Sequence, residues 1–320
     1  MRVLTAHDIK FTLTMRDAIE AVRAGFIALS KDRVEMPVRT ALSVPGGVTL
    51  TMPAYVYDEM VSVVKIVSVS AGNAARGLPV VIGTVLVVDA QTGVPRALLD
   101  GTMLTAIRTG AGSGLATDLL AKPDAKVLAV IGAGAQARTQ IEAVCTVREI
   151  EQVRIYSPRT AAALAVEISG LYDFEVIAVP DAEAALEGAD VVVAATNSAS
   201  PVFMADHIAP GVHINGVGSF RHDMEEIPVE LVARAKIIID HRESAWAEAG
   251  ELIKALELGL IRADDVVEIG EVAAELKPGR TSPEQITFFK SVGSAVQDAM
   301  TAARVVALAE ERNLGQIISL

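Results

Sequence analysis

The sequence predicts an α/β chain of two domains, an α+β domain followed by a doubly wound parallel sheet. Three observations predict it. The chain has 320 residues, long for one domain and comfortable for two. Before residue 120, strand-like runs follow one another through short turns, the grammar of antiparallel pairing. After "AKPDAK" (121–126), strand and helix patterns alternate, the grammar of a parallel sheet covered by helices. The domains are expected at 1–120 and 121–294. The C-terminal helix, about 295–320, is expected to return and complete the first.

Composition narrows the function classes. Hydrophobic residues make up 51% and charged residues 21%, enough apolar material for sizeable cores. A net charge of -12 repels nucleic acid and anionic membrane, so neither is expected as a partner. Any anionic substrate must be met by a local cluster of Arg or Lys. The one cysteine, Cys145, excludes an intramolecular disulfide, suits a reducing cytoplasm, and reads as a small core residue on a helix. The N-terminal "MRVLTAHDIK" lacks the apolar core of a signal peptide. "LPVVIGTVLVV" is too short to cross a bilayer, and its β-branched residues read as a buried strand.

The elements follow in order. Thr14 caps a helix running to Lys31, with Asp17 three residues on and Ile19, Val22, Phe26 and Leu29 on one stripe. "VTLTMPAY", "MVSVVKIVSVS" and "LPVVIGTVLVVDA" read as strands, and the turn "DAQTG" leads into "VPRALLDG" as a hairpin. The helix "TMLTAIRTGAGSGLATDLLA" carries Gly110, Ala111, Gly112 and Gly114. These weaken an isolated helix and make sense where something packs close to the backbone. "KVLAVIG", "QVRIYS", "FEVIAV", "DVVVAAT", "VHINGVG" and "AKIIID" supply strands, with helices at "AQARTQIEAVCT" and "TAAALAVEISGL". The last long helix is expected to begin near Pro283 and Glu284 and to run past Met300.

"VLAVIGAGAQA" gives G-x-G-x-x-A at Gly132, Gly134 and Ala137. The first glycine allows a tight turn, the second admits a pyrophosphate, and the small third residue lets helix pack on strand. The pattern follows an apolar strand and opens a helix, which makes the second domain a Rossmann-type, dinucleotide-binding sheet. At the end of the next strand stands Ser157 rather than Asp or Glu, followed by Pro158 and Arg159. A serine neither takes two ribose hydroxyl bonds nor repels a 2'-phosphate, and Arg159 can reach that phosphate. NADP(H) is therefore expected over NAD(H), with NAD(H) as the alternative; a solvated arginine at a helix start is the plain reading of Arg159.

Lys65 shares a strand face with Val61, Val63, Val67 and Val69. It either snorkels from a sheet edge or serves a site, where desolvation suits an amine to proton transfer. Arg39 in "MPVRT" and Arg108 in "LTAIRTGAGSG" also lie among apolar or small residues, where a structural ion pair is the plain alternative. The five histidines show no metal-ligand spacing, so no metal is expected. His222 and Asp223, in "GSFRHDMEEIP" (218–228), are either catalytic or part of a polar loop.

"MPVRT", "VVKIVSV", "VVDAQTGVPRALLDGTMLTAIRTGAGSG", "VIGAGAQA", "INGVGSFRHDMEEI" and "GRTSPEQITFFKSVGSAVQD" cover nearly the whole chain. In order and content they resemble the ornithine cyclodeaminase/mu-crystallin family. That resemblance implies a homodimer joined through the N-terminal domains, a bound nicotinamide cofactor, and a small imino- or amino-acid substrate. By motif match it implies that Arg39, Lys65 and Arg108 surround the substrate carboxylate. It puts Gly132, Gly134, Ala135, Gln136 and Ala137 on the pyrophosphate turn, and Thr109, Gly110, Val292 and Gly293 near the nicotinamide. Ser157, Arg159, Thr196 and Val217 complete the expected cofactor set.

One departure sorts the branches. Cyclodeaminases carry an Asp shortly after "NAVG" that acts on the substrate's side-chain amine, and here Phe220 stands at that position. The sequence therefore resembles the reductase and dehydrogenase branch. The expected activity is NADPH-dependent reduction of a cyclic ketimine, Δ1-pyrroline-2-carboxylate or Δ1-piperideine-2-carboxylate, to an L-amino acid. The alternatives are an alanine-dehydrogenase-like enzyme, an ornithine cyclodeaminase, or a mu-crystallin-like NADPH-binding protein without significant turnover.

Overall fold

The computed structural model describes residues 1–319. Its chain divides into two units, one of residues 1–108 with the C-terminal residues from Ser294 onward, the other of Thr109–Gly293. The first unit begins with β1 (Arg2–Leu4), α1 (Ala6–Thr12) and α2 (Met15–Ser30). Thr14 caps α2 by accepting the Asp17 N–H at 3.1 Å, which satisfies one of the orphan donors of the first turn. Ile19, Val22 and Phe26 of its stripe are buried and Leu29 is half-buried.

The strands β2 (Val34–Glu35), β3 (Thr40–Val44), β4 (Gly47–Val56), β5 (Val61–Val69), β6 (Val81–Asp89) and β7 (Pro95–Asp100) follow. β4 to β7 pair antiparallel in chain order, as alternation with short turns requires. On β5 the period of two turns Val61, Val63, Lys65 and Val67 inward and leaves Ile66 exposed. The 89–93 turn is held by Asp89, whose carboxylate accepts the Thr92 N–H at 2.8 Å. Asp100 then caps α3 (Gly101–Leu120) through the Met103 N–H at 2.7 Å.

The division falls inside α3, between Arg108 and Thr109. The physical reason lies in what the second half of α3 touches. A Cβ on Gly110 would lie 2.5 Å from the Thr139 carbonyl oxygen, so only glycine permits that approach. Arg148 donates to the carbonyls of Thr117, Asp118 and Ala121 at 2.9, 2.9 and 3.0 Å, satisfying the open end of the helix.

The second unit continues with β8 (Val127–Ile131), α4 (Ala135–Val147), β9 (Gln152–Tyr156), α5 (Ala161–Ser169), β10 (Glu175–Ala178), α6 (Ala182–Leu186), β11 (Val191–Ala194) and β12 (His213–Gly216). After it come α7 (Val229–Val232), β13 (Lys236–Ile239), α8 (Arg242–Glu248), α9 (Gly250–Glu257), β14 (Val267–Glu268), α10 (Ile269–Ala273) and β15 (Thr287–Lys290). The sheet order is β10-β9-β8-β11-β12-β15-β13-β14, every pair parallel. Alternate residues feed two cores: Leu128 and Val130 of β8 enter one, Ala129 and Ile131 the other. Winding outward from β8 to β10 and then back to β11 makes this a Rossmann-type doubly wound sheet, with its switch point between β8 and β11.

One expected element is different. No helix begins at Pro283 and Glu284; β15 forms there instead, between β12 and β13. All four of its residues, Thr287 to Lys290, are buried. A strand covered on both faces shows no alternation, so the run gave no strand period to read. The last helix, α11 (Ala295–Glu311), starts after Ser294, which forms a capping box with Gln297. α11 lies on α2 so closely that a Cβ on Gly25 would come within 2.7 Å of Met300 Cγ. Last, β16 (Gln316–Ile317) pairs with β1, and the sheet of the first unit runs β16-β1-β7-β6-β5-β4-β2 with β3 also on β4. Among the described residues no helix is long and apolar enough to cross a membrane.

Candidate functional site

In the first unit the polar residues of the core converge. Lys65 stands on the inward face of β5, opposite Met52 of β4 and Val85 of β6, and its side chain is only 1% exposed. Its Nζ lies 2.6 Å from Asp298 Oδ2, in an ion pair with a carboxylate that is itself fully buried. The other oxygen, Asp298 Oδ1, accepts Arg108 Nε–H at 3.1 Å. Arg108 also donates through Nη1 to Gln297 Oε1 at 3.0 Å, and Gln297 Nε2 donates back to the Arg108 carbonyl at 3.3 Å. Arg108 Nη2 takes no hydrogen bond among the described residues.

Burial pulls the Lys65 amine down to about 8; Asp298 opposes that fall, while the charges of Arg108 and Arg39 add to it. Arg39 lies half-buried between β2 and β3, close enough for its charge to bear on Lys65. Its loop is tied down at Met36, whose Sδ accepts the Ser294 hydroxyl at 3.3 Å. The fold thus brings together the three cations singled out in the sequence and adds an anion that sequence reasoning missed. The missed signal was local: "VQD" sets Gln297 and Asp298 within an otherwise apolar helix stripe of Val296, Ala299 and Ala302.

In the second unit the glycine turn follows β8. Gly132 has φ +103, and a Cβ there would lie 2.5 Å from the Ala195 carbonyl oxygen. Gly134 is the N-cap of the 13-residue α4, has no side-chain cap, and opens onto free space. Ala135 is exposed beside it, and Ala137 is fully buried against the sheet. The Gln136 Oε1 is enclosed without a hydrogen-bond partner. An uncapped helix start and a glycine with open space before it fit a dinucleotide pyrophosphate. Ser157, just past β9, shares a hydrogen bond with Thr160 at 3.0 Å, and Arg159 is exposed with no bond among the described residues.

Three carboxylates absent from the sequence reading, Glu226, Glu251 and Asp240, fix the remaining loops. Glu226 Oε1 accepts the Thr196 N–H at 2.5 Å, and Oε2 accepts those of Gly218 and Ser219 at 2.6 and 2.8 Å. Burial pushes the Glu226 carboxyl above the ordinary glutamate value, with Lys290 pulling the other way. Lys290 pairs with the buried Glu251 at 3.1 Å and donates to the Ser219 carbonyl at 2.6 Å. Val217, between those loops, donates to the Ala194 carbonyl at 3.0 Å. Asp240 Oδ2, at the end of β13, accepts the Val292 and Gly293 N–H groups at 3.0 and 2.8 Å and the Ser291 hydroxyl at 2.8 Å. Thr109 is buried at the start of the second unit's share of α3.

The 218–228 loop carries Arg221, His222 and Asp223 on the surface. Asp223 pairs with Arg221 at 2.9 Å, both exposed, His222 is exposed beside them, and Phe220 packs on the second unit's core. Cys145 packs against the other core, and burial pushes its thiol up to about 12, far from a reactive thiolate. Among the described residues no group of three or more His, Cys, Asp or Glu is placed to hold a metal ion.

Known proteins are similar to this chain over its whole length. A Δ1-pyrroline-2-carboxylate reductase of Bacillus cereus is 38% identical over 324 aligned residues, covering 99% of each chain. The structure of Thermococcus litoralis Δ1-pyrroline-2-carboxylate reductase with NADH and L-proline superposes with a TM-score of 0.96 at 38% identity, over 99% of this chain and 100% of that one. An archaeal alanine dehydrogenase dimer with bound NAD gives 0.94 at 34% identity, over 100% of this chain and 99% of that one. The model of the ornithine cyclodeaminase/mu-crystallin family matches residues 1–313, and with that span the chain belongs to this family.

Proposed function

We propose that this protein is an NAD(P)-dependent reductase of a cyclic ketimine carboxylate, Δ1-pyrroline-2-carboxylate or its six-membered homologue, yielding an L-amino acid. The observation that carries the reading is the buried Lys65, an amine brought to about 8 beside Arg108, in a chain so similar to two Δ1-pyrroline-2-carboxylate reductases. Arg39 and Arg108 hold the substrate carboxylate, for which Arg108 Nη2 is left without a protein partner. Lys65 serves the imine nitrogen: an Nζ–H bond breaks, an N–H bond forms on the ring, and solvent returns the proton to the amine. Protonation makes the imine carbon electrophilic. A bound nicotinamide supplies the hydride for that carbon.

Gly132, Gly134, Ala135, Gln136 and Ala137 would hold the pyrophosphate, and Thr109, Gly110, Thr196, Val217, Val292 and Gly293 the nicotinamide half. Ser157 and the unengaged Arg159 support a preference for NADP(H). The NADH and NAD bound by the two structural relatives favour NAD(H) as the second reading of the cofactor. The alanine dehydrogenase likeness favours a second reading of the substrate, pyruvate with ammonia. A homodimer through the first unit is supported by the exposed Leu42, Ile66 and Ile82 on its sheet and by the dimeric relative. A cytoplasmic location accords with a single, unpaired cysteine.

The test is oxidation of NADPH and of NADH over a panel of both cyclic ketimines and pyruvate with ammonia, alongside ornithine with NAD. Fast turnover of a cyclic ketimine supports the reading. Turnover of pyruvate alone replaces the substrate, ammonia release from ornithine at a comparable rate reverses the branch, and negligible turnover throughout makes this a binding protein.

A further inference from the structure

We infer that Asp298 is a positioning residue of this site, one carboxylate that sets the spacing of Lys65 and Arg108 and keeps the Lys65 amine charged for proton transfer. The inference rests on the reductase reading above and adds a residue to it. Each Asp298 oxygen serves one cation, Oδ2 to Lys65 Nζ at 2.6 Å and Oδ1 to Arg108 Nε at 3.1 Å. Its own place is fixed as well. It follows Gln297, whose Oε1 accepts both the Ser294 N–H that caps α11 and the Nη1 of Arg108, each at 3.0 Å. The first turn of a 17-residue helix favours a negative charge there.

Among the described residues, Asp298 is the anion that bears on Lys65. From β4 and β6 it meets Met52 and Val85, from α3 Arg108, from α11 Asp298, and the charge of Arg39 reaches it from the loop before β3. An amine between apolar walls and two guanidinium groups loses its proton readily unless a carboxylate holds it. Using Arg108 Nε for Asp298 and Nη1 for Gln297 also leaves Nη2 as the donor free for an anion. A single carboxylate therefore sets both the charge of the proton donor and the direction in which the clamp arginine points.

The experiment is the pH profile of ketimine reduction by wild type and by Asp298→Asn, which keeps the shape and removes the charge. The limb at which kcat falls with rising pH should move about one unit or more toward lower pH, with nucleotide affinity unchanged. In a Lys65→Ala background the same substitution should move nothing further. A superimposable limb in Asp298→Asn, or a shift that survives in Lys65→Ala, would overturn the inference. Titration of lysine labelled at Cε, followed by NMR, gives a readout independent of turnover. The Lys65 resonance, assigned by its loss in Lys65→Ala, should have a lower midpoint in Asp298→Asn than in wild type. Absence of ketimine turnover with that midpoint shift intact would sink the reductase reading and leave the pairing standing. Should Asp298→Asn not fold, aspartate labelled at Cγ in wild type takes its place. One carboxyl resonance should change its chemical shift as Lys65 loses its proton, and none doing so would refute the assignment.

Discussion

Glu226 receives the Thr196 backbone N–H at 2.5 Å, although thirty residues and a strand of the sheet separate them. With its second oxygen on Gly218 and Ser219, it joins the loop after β11 to the loop after β12. Glu226→Gln keeps one acceptor and turns an NH2 toward two N–H donors. A buried donor left unsatisfied costs about 1–3 kcal/mol. Urea unfolding should therefore show a loss of that order, and calorimetry a weaker affinity for the nicotinamide nucleotide. Unchanged stability would mean the three N–H groups find water or other partners.

Arg159 is the residue on which the proposed choice between the two cofactors can be tested. A hydrogen bond to a charged group contributes about 1.5–3 kcal/mol. Arg159→Ala should then raise the Kd for NADPH about ten- to a hundredfold on that magnitude and leave the Kd for NADH nearly unchanged. Equal weakening of both would remove Arg159 from phosphate recognition, and a wild-type preference for NADH would reverse the cofactor assignment.

Lys65 and Arg108 should fail differently. Arg108→Ala removes a clamp and leaves Asp298 with one cation, so kcat/KM for a ketimine carboxylate should fall by roughly thirtyfold or more, the cost of breaking a buried charge pair. Lys65→Ala should instead lower kcat and abolish the limb near pH 8, where burial places the amine. Near-wild-type turnover in both would show that the carboxylate and the proton are handled elsewhere.

His213 makes stability depend on pH. Burial pulls it from 6.5 down to about 3, with Thr287 Oγ1 at 3.0 Å and Asn215 Oδ1 at 3.3 Å on its two ring nitrogens. Between those values the unfolded chain binds a proton that the folded chain refuses. The stability is fully present above about pH 6.5 and is lost as pH falls toward 3. Each unit of pH in that window should remove up to about 1.4 kcal/mol. His213→Gln should flatten that slope in denaturant titrations between pH 7 and 5; an unaltered slope would assign it to other groups.

The sequence by itself determined the family, the fold class and most strands. Period two on β5 and strand-helix alternation after residue 126 are local patterns, and local patterns survive in a sequence. It also singled out Lys65, Arg39 and Arg108, since a cation among valines or glycines is conspicuous without knowledge of its neighbours. It misread the start of the last helix, because β15 is buried on both faces and shows no period. Only the tertiary structure decided what the cations meet. Arg108 and Asp298 stand 190 residues apart and bond at 3.1 Å. Glu226 and Asp240 likewise hold the backbone of loops that follow other strands. Periodicity reports which face of an element is buried. It carries no record of which distant carboxylate is buried with it, and in this site that pairing sets both the charge of Lys65 and the orientation of Arg108.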